Sequence, residues 1–302
     1  MTQEPLTGEA AESRSCSHEE PRRRFRDWFI ALVVFHTVLD IVLGHLWHTV
    51  PLESSPVGGV IAFGIITAQV ALVAAIGSLT RLAFFSVRVP CAFFLAGLIW
   101  LALAVGDRGH ASRVEAFIIG LWIAILLIVM LGLLQIARNL VGWHLVLGDR
   151  RTDSGNQPLT LRHLLTGTIL LAVELAAIRA VLPPATSDNF DEWALTFLVV
   201  ALVFGGVPAV VAAGMVGWAM REPFGKAVER GICYTAVATA IEMLIVGTLE
   251  GFVWGELVLL IAGTHVVQLS VIYGSLGLLR RAGLRMSYEL AEYWTYVETP
   301  DE

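Results

Sequence analysis

The chain has 302 residues, 56% of them hydrophobic and 15% charged, with a formal net charge of −6 and a mean hydropathy of +0.73. Soluble domains carry about a quarter charged residues, so this composition excludes that class and points to the membrane. Of the 20 basic residues all but Lys226 are arginine, and the three cysteines (Cys16, Cys91, Cys233) lack the CxxC or His-paired spacing of a disulfide framework or zinc site.

Residues 1–27 are a polar tail ending in RRRFR. The apolar stretch that follows is too long for a signal-peptide core and has no A-x-A site, so it is expected to stay as a first span. Segments near 28–48, 57–79, 89–106, 115–137, 163–182, 194–219, 232–250 and 256–279 approach or exceed the roughly 20 residues that a spanning helix needs. In hydrocarbon each segment must bond its own backbone, so the expected fold class is all-α, a polytopic transmembrane helix bundle of about eight spans. In the sixth segment, GGVPAVVAAGMVGW at 205–218 spaces Ala209, Ala213 and Gly217 for close helix packing, and Pro208 is expected to kink it. Beyond the last span, SYELAEYWTYVE at 287–298 puts Leu290, Tyr293, Trp294 and Val297 on one stripe, as in a short amphipathic helix lying on the membrane surface.

If the loops alternate, 17 of the 20 basic residues fall on one side, and only Arg108, Arg113 and Arg179 depart from it. The excess of positive loops places both termini in the cytoplasm of a bacterial inner membrane. The expected partner is the lipid bilayer, with other membrane subunits as further candidates and no nucleic acid.

The chain also reads as duplicated. FRDWFIALVVF at 25–35 aligns with LRHLLTGTILL at 161–171, Pro51 with Pro183-Pro184, and ARNLVGWHLV at 137–146 with LRRAGLRMSY at 279–288, which sets Gly142 against Gly283. Four spans per half is an even number, so both halves enter the membrane in the same sense, as a parallel repeat. The expected domains are the tail (1–27), a first repeat (28–147), the linker GDRRTDSGNQP and its flank (148–160), a second repeat (161–285) and an acidic amphipathic tail (286–302). Around the linker, QPLTLRHLLTGTILLAVELAAIR resembles the F-S-L-R-x-L-L opening of a span in uncharacterised planctomycete-type multi-span proteins, with Leu159-Thr160 in place of Phe-Ser. RLAFFSVRVP at 81–90 fits their Arg-flanked hairpins. The resemblance implies a lineage and a membrane location, and no activity comes with it.

Ionisable groups within the apolar segments are the candidate site. In FHTVLDIVLGHLWH (35–48), His36 and Asp40 lie about 40° apart on one helix face, so Asp40 is placed to accept a hydrogen bond from the imidazole. His45 faces away, and Trp47 and His48 sit at the interface. Glu174 follows Asp40 by 134 residues, at the matching depth of the second half; Glu242 lies in the seventh segment, His265 and Gln268 in the eighth, and Gln69 in the second. A carboxylate at mid-membrane costs roughly 2.5–3.5 kcal/mol on insertion scales, so these groups should face other helices or water. No P-loop, GxGxxG, HExxH or GxSxG is present, so no catalytic residue, metal ligand or cofactor is assigned. Three functional readings follow. The polar groups pack a structural or accessory membrane component; or they form the path of a small proton- or cation-linked transporter; or His36, His48 and His265 bind haem.

Overall fold

A run of apolar residues in lipid has one way to satisfy its backbone, and the chain takes it repeatedly. The computed structural model describes residues 9–49, 56–80, 85–107, 113–147, 208–220, 223–247 and 254–288. The described helices are α1 (Glu9–Thr49), α2 (Pro56–Leu79), α3 (Phe85–Asp107), α4 (Arg113–Val141), α5 (Pro208–Met220), α6 (Phe224–Gly247) and α7 (Trp254–Arg281). Five contain a stretch long and apolar enough to cross a membrane: Arg23–Trp47, Val57–Leu79, Arg88–Asp107, Ala116–Val141 and Ile261–Arg281. The helix α6, over the expected seventh span, carries Lys226, Glu229 and Arg230 in its first turns and is not among them. The fifth expected span, the first part of the sixth, and Glu174 lie outside the described residues, and Pro208 is the first described residue of α5.

Two features add to the expected bundle. The polar tail is helical from Glu9 and runs without a break into the first span. Exposed pairs one turn apart, Arg24–Glu20 at 2.5 Å and Arg23–Asp27 at 3.9 Å, contribute a few tenths of a kcal/mol each to that extension. The all-α class expected from the sequence holds, with one small addition: two short strands, β1 (Trp143–Leu147) and β2 (Leu284–Tyr288), pair antiparallel. Ser287 and Tyr288, expected to open the tail helix, are in β2, and the rest of that stripe lies outside the described residues.

Helix α2 is the centre of the bundle. Of its most apolar window 72% is buried, against 17% for α1. It packs chiefly on α7, then on α4 and α3, while α1 lies along α3 and α6 along α7. The outer faces leave Ile30, Val34, Phe35, Ile128, Leu140 and Leu244 exposed, the reverse of a soluble protein and a surface suited to lipid. Close approach fixes where α1 crosses α3. A Cβ at Gly44 would strike the Leu103 carbonyl oxygen, and one at Gly106 would strike the Ile41 carbonyl oxygen. Backbone meets backbone there, one turn from Asp40.

At one end of the bundle the arginines cap helices. Arg88 folds back so that Nη1 donates to the carbonyls of Ser78 (3.1 Å) and Thr80, and Arg138 Nη1 donates to the same Ser78 carbonyl at 2.8 Å. Arg280 Nη1 donates to the Ala219 carbonyl at 2.6 Å, at the end of α5. A cation on the last carbonyls of a helix satisfies orphan acceptors and complements the dipole.

The strand pair closes this same end. Helices α4 and α7 both stop at a glycine in the left-handed region, Gly142 (φ 72°) and Gly283 (φ 100°), a conformation that favours glycine as a helix terminator. The next residue starts a strand in each case. Leu145 pairs with Met286, and the register extends evenly, Trp143 with Tyr288 and Leu147 with Leu284, so the pair is its own two-fold image about the central couple. Leu145 and Leu284 on the inner face are fully buried, while Arg285 on the other face is exposed.

Candidate functional site: two polar clusters in the helix core

Helix α2 offers two polar side chains near the middle of its apolar run, Thr67 and Gln69, and both are buried. Two residues apart on a helix, they point about 200° apart, toward different neighbours. Each belongs to a separate cluster.

The first cluster joins α1, α2 and α7. Asp40 is 1% exposed. The Gln69 amide Nε2 donates to Asp40 Oδ1 at 2.8 Å and lies 3.2 Å from His36 Nδ1. His36 Nε2 is 3.1 Å from the Ser275 hydroxyl. With one Gln69 proton on each partner, Nδ1 accepts and Nε2–H donates to Ser275, which is a neutral imidazole. The direct His36–Asp40 bond expected from their spacing is thus replaced by a bridge through Gln69. Two buried oxygens of the cluster, Asp40 Oδ2 and Gln69 Oε1, have no partner among the described residues.

Those residues border a cavity of about 70 Å³. Asp40, Gln69, His36 and Ser275 form its polar end, and leucine, valine and isoleucine side chains of α1, α2 and α3 its walls. Its other limit is Phe29, Ile76 and Leu279, each within a turn of the arginine-bearing end. One water takes roughly 10–15 Å³ of such space, so the cavity has room for several, with polar partners at one end only.

The second cluster joins α6, α7 and α2. Glu242 Oε2 lies 2.7 Å from His265 Nε2, and His265 Nδ1 lies 2.9 Å from Gln268 Oε1. Gln268 Nε2 donates to Thr67 Oγ1 at 2.5 Å, and Thr67 in turn donates to the Phe63 carbonyl at 2.6 Å. All four side chains are buried. Glu242 sits near the end of α6 away from Lys226 and Arg230, so this cluster occupies the half of the core opposite the cavity's apolar end.

The structure therefore groups the sequence candidates as His36 with Asp40, and Glu242 with His265 and Gln268; Glu174 lies outside the described residues. His45 is exposed, and the His48 side chain lies outside the described residues. His36 and His265 enter different clusters and each engages both ring nitrogens, which leaves neither a free nitrogen for haem iron. Among the described residues no group of three His, Cys, Asp or Glu side chains converges as metal ligands do. Sequence reading missed Thr67 and Ser275. The available signal was a hydroxyl in an otherwise apolar run, and Ser275 lies two turns from Gln268 on the same face of α7. Comparison of the chain with family models, curated proteins and solved structures returns no match.

Proposed function

We propose that the chain is an eight-span protein of a bacterial inner membrane, with both termini cytoplasmic, built as two parallel four-helix repeats, and that it moves protons or other cations through its core. The repeat is supported by three matched features: the two-fold register of β1 and β2, the paired glycines that precede them, and Arg138 and Arg280 capping Ser78 and Ala219 in turn. The orientation rests on the arginine distribution, with the capped end facing the cytoplasm. A shared origin with planctomycete-type multi-span proteins is part of the proposal and brings no activity with it.

The observation that carries the transport reading is the pair of unpartnered oxygens, Asp40 Oδ2 and Gln69 Oε1, buried at mid-membrane and bordering a cavity directed toward the arginine-bearing end. A cluster that only packs helices gains by saturating its polar atoms, since each unmet one costs about 1–3 kcal/mol. A cluster that receives an ion or water keeps acceptors open. The test is flux: purified protein in vesicles with an internal pH-sensitive dye, driven by an imposed potential. Proton entry above that of protein-free vesicles supports the reading; permeability equal to that of empty vesicles, for protons and for alkali cations alike, refutes it.

The accessory-component reading has one observation of its own. The chain from Glu242 to the Phe63 carbonyl ties three helices together. Under that reading other membrane subunits would dock on the exposed apolar faces.

A further inference from the structure

The second cluster settles its own proton count. A backbone carbonyl accepts and never donates, so the 2.6 Å contact between Thr67 Oγ1 and the Phe63 oxygen uses the single hydroxyl proton of Thr67. Thr67 Oγ1 can then only accept from Gln268, and the group facing it at 2.5 Å must be the amide NH2. That orients the Gln268 amide with Oε1 toward His265 Nδ1 at 2.9 Å, so Nδ1 must carry a proton. Turned over, the amide would need the same Thr67 proton that the Phe63 oxygen already holds. One contact remains, the 2.7 Å approach of His265 Nε2 to Glu242 Oε2, and it contains one proton.

We infer that Glu242 and His265 form a proton-binding dyad, neutral as a pair, which holds a single exchangeable proton between Oε2 and Nε2 and takes a proton rather than a metal ion as its ligand. Drawn as carboxylic acid with neutral imidazole, or as carboxylate with imidazolium, the pair has the same net charge, and in both forms Nδ1–H stays on Gln268. Release of the proton leaves the dyad at −1 in the core. Uptake of a second, on the carboxyl oxygen, leaves it at +1. The described groups facing it are neutral: Gln268 from α7 and Thr67 from α2. Of the charged residues of its own elements, Lys226, Glu229 and Arg230 on α6 and Arg280 and Arg281 on α7 lie at the opposite helix ends, and Glu256, in the first turn of α7, precedes His265 by nine residues. His36 and Asp40 on α1 belong to the other cluster. A metal ion would find only the carboxylate free, since Nδ1 is protonated, and no third ligand converges among the described residues. This deepens the transport reading, and rests on it for the proton's use but not for its presence.

The test is nitrogen NMR on the full chain labelled with ¹⁵N-histidine in lipid bilayers, with His265→Asn assigning the signal by its loss. The expected result is a protonated Nδ1 on His265 throughout the pH range in which the protein stays folded. In Thr67→Val the amide loses its anchor, and a second tautomer with bare Nδ1 should appear. In Glu242→Gln the side-chain amide can donate to Nε2, so the Nδ1–H signal should persist while a proton titration of the folded protein loses about one proton per chain. A bare Nδ1 in the parent protein overturns the inference, and so does an unchanged proton count in Glu242→Gln. Should that variant not fold, the parent spectrum decides alone. A protonated Nδ1 without any proton flux would sink the transport reading and leave the dyad standing.

Discussion

Replacing Gln69 by leucine removes two donated hydrogen bonds between helices, to Asp40 Oδ1 and to His36 Nδ1. Such bonds contribute about 0.6 kcal/mol on average in membrane bundles and at most about 1.7, so the direct loss is about 1–3 kcal/mol. The unpartnered Gln69 Oε1 leaves with the side chain, which returns part of that loss. Against this, Asp40 keeps no described hydrogen bond at all, and a stranded buried acceptor costs about 1–3 kcal/mol. The expected net effect of Gln69→Leu is a destabilisation of about 1–3 kcal/mol. The double variant Gln69→Leu/Asp40→Leu removes the stranded carboxyl as well and leaves only His36 Nδ1 without its donor, so it should recover the Asp40 part of that loss, because replacing both partners of a buried bond with apolar groups is close to neutral. Thermal unfolding in detergent, read as a double-mutant cycle, gives the coupling directly. At about 2–4 °C per kcal/mol for a chain near this size, the single variant should melt several degrees low and the double variant closer to the parent. A double variant as unstable as the sum of its parts would refute the Gln69 bridge.

The remaining expectations test the frame. Leu145→Cys with Met286→Cys should cross-link under mild oxidation, since directly paired strand residues have Cα atoms about 4.5–5.5 Å apart, while His144→Cys with Met286→Cys, on opposite faces, should not. Gly106→Val should detach α1 from α3 and lower thermal stability by several kcal/mol, whereas the same change at Gly132, where no described residue outside its own helix turn lies within 4 Å of an added Cβ, should be tolerated. Cysteines placed singly at positions 155 and 188 should respond oppositely to a membrane-impermeant reagent applied to intact cells, with 188 labelled and 155 protected; the reverse pattern would invert the proposed orientation.

How far the sequence could be read follows from which forces are local. The apolar runs 57–79 and 89–106 are read from the sequence as spans, and the structure has helices long and apolar enough to be spans at Val57–Leu79 and Arg88–Asp107, because bilayer thickness and backbone satisfaction act on each segment alone. The strands were not anticipated. WHLVL and LRMSY alternate large apolar with smaller or polar residues, but over five residues each, and their partners are distant in the chain. The helical extension to Glu9 was hidden by its polarity, since hydropathy does not register a helix outside the membrane. At the site, Asp40 and Glu242 stood out because an acid in an apolar run is costly wherever it points. Which side chains they meet was not legible. That His36 meets Ser275, or that Thr67 meets Gln268, depends on α7 packing against α1 and α2, which are distant from it in the chain.

The central claim is that Asp40 is part of an ion path and not a packing group, and Asp40→Asn tests it most directly. Asparagine keeps an oxygen to accept from Gln69 and the same volume, but cannot exchange a proton. Flux through vesicles should fall to the level of protein-free controls, while the melting temperature and the yield of folded protein stay close to the parent's. Parent-level flux in a normally folded Asp40→Asn protein would contradict the account.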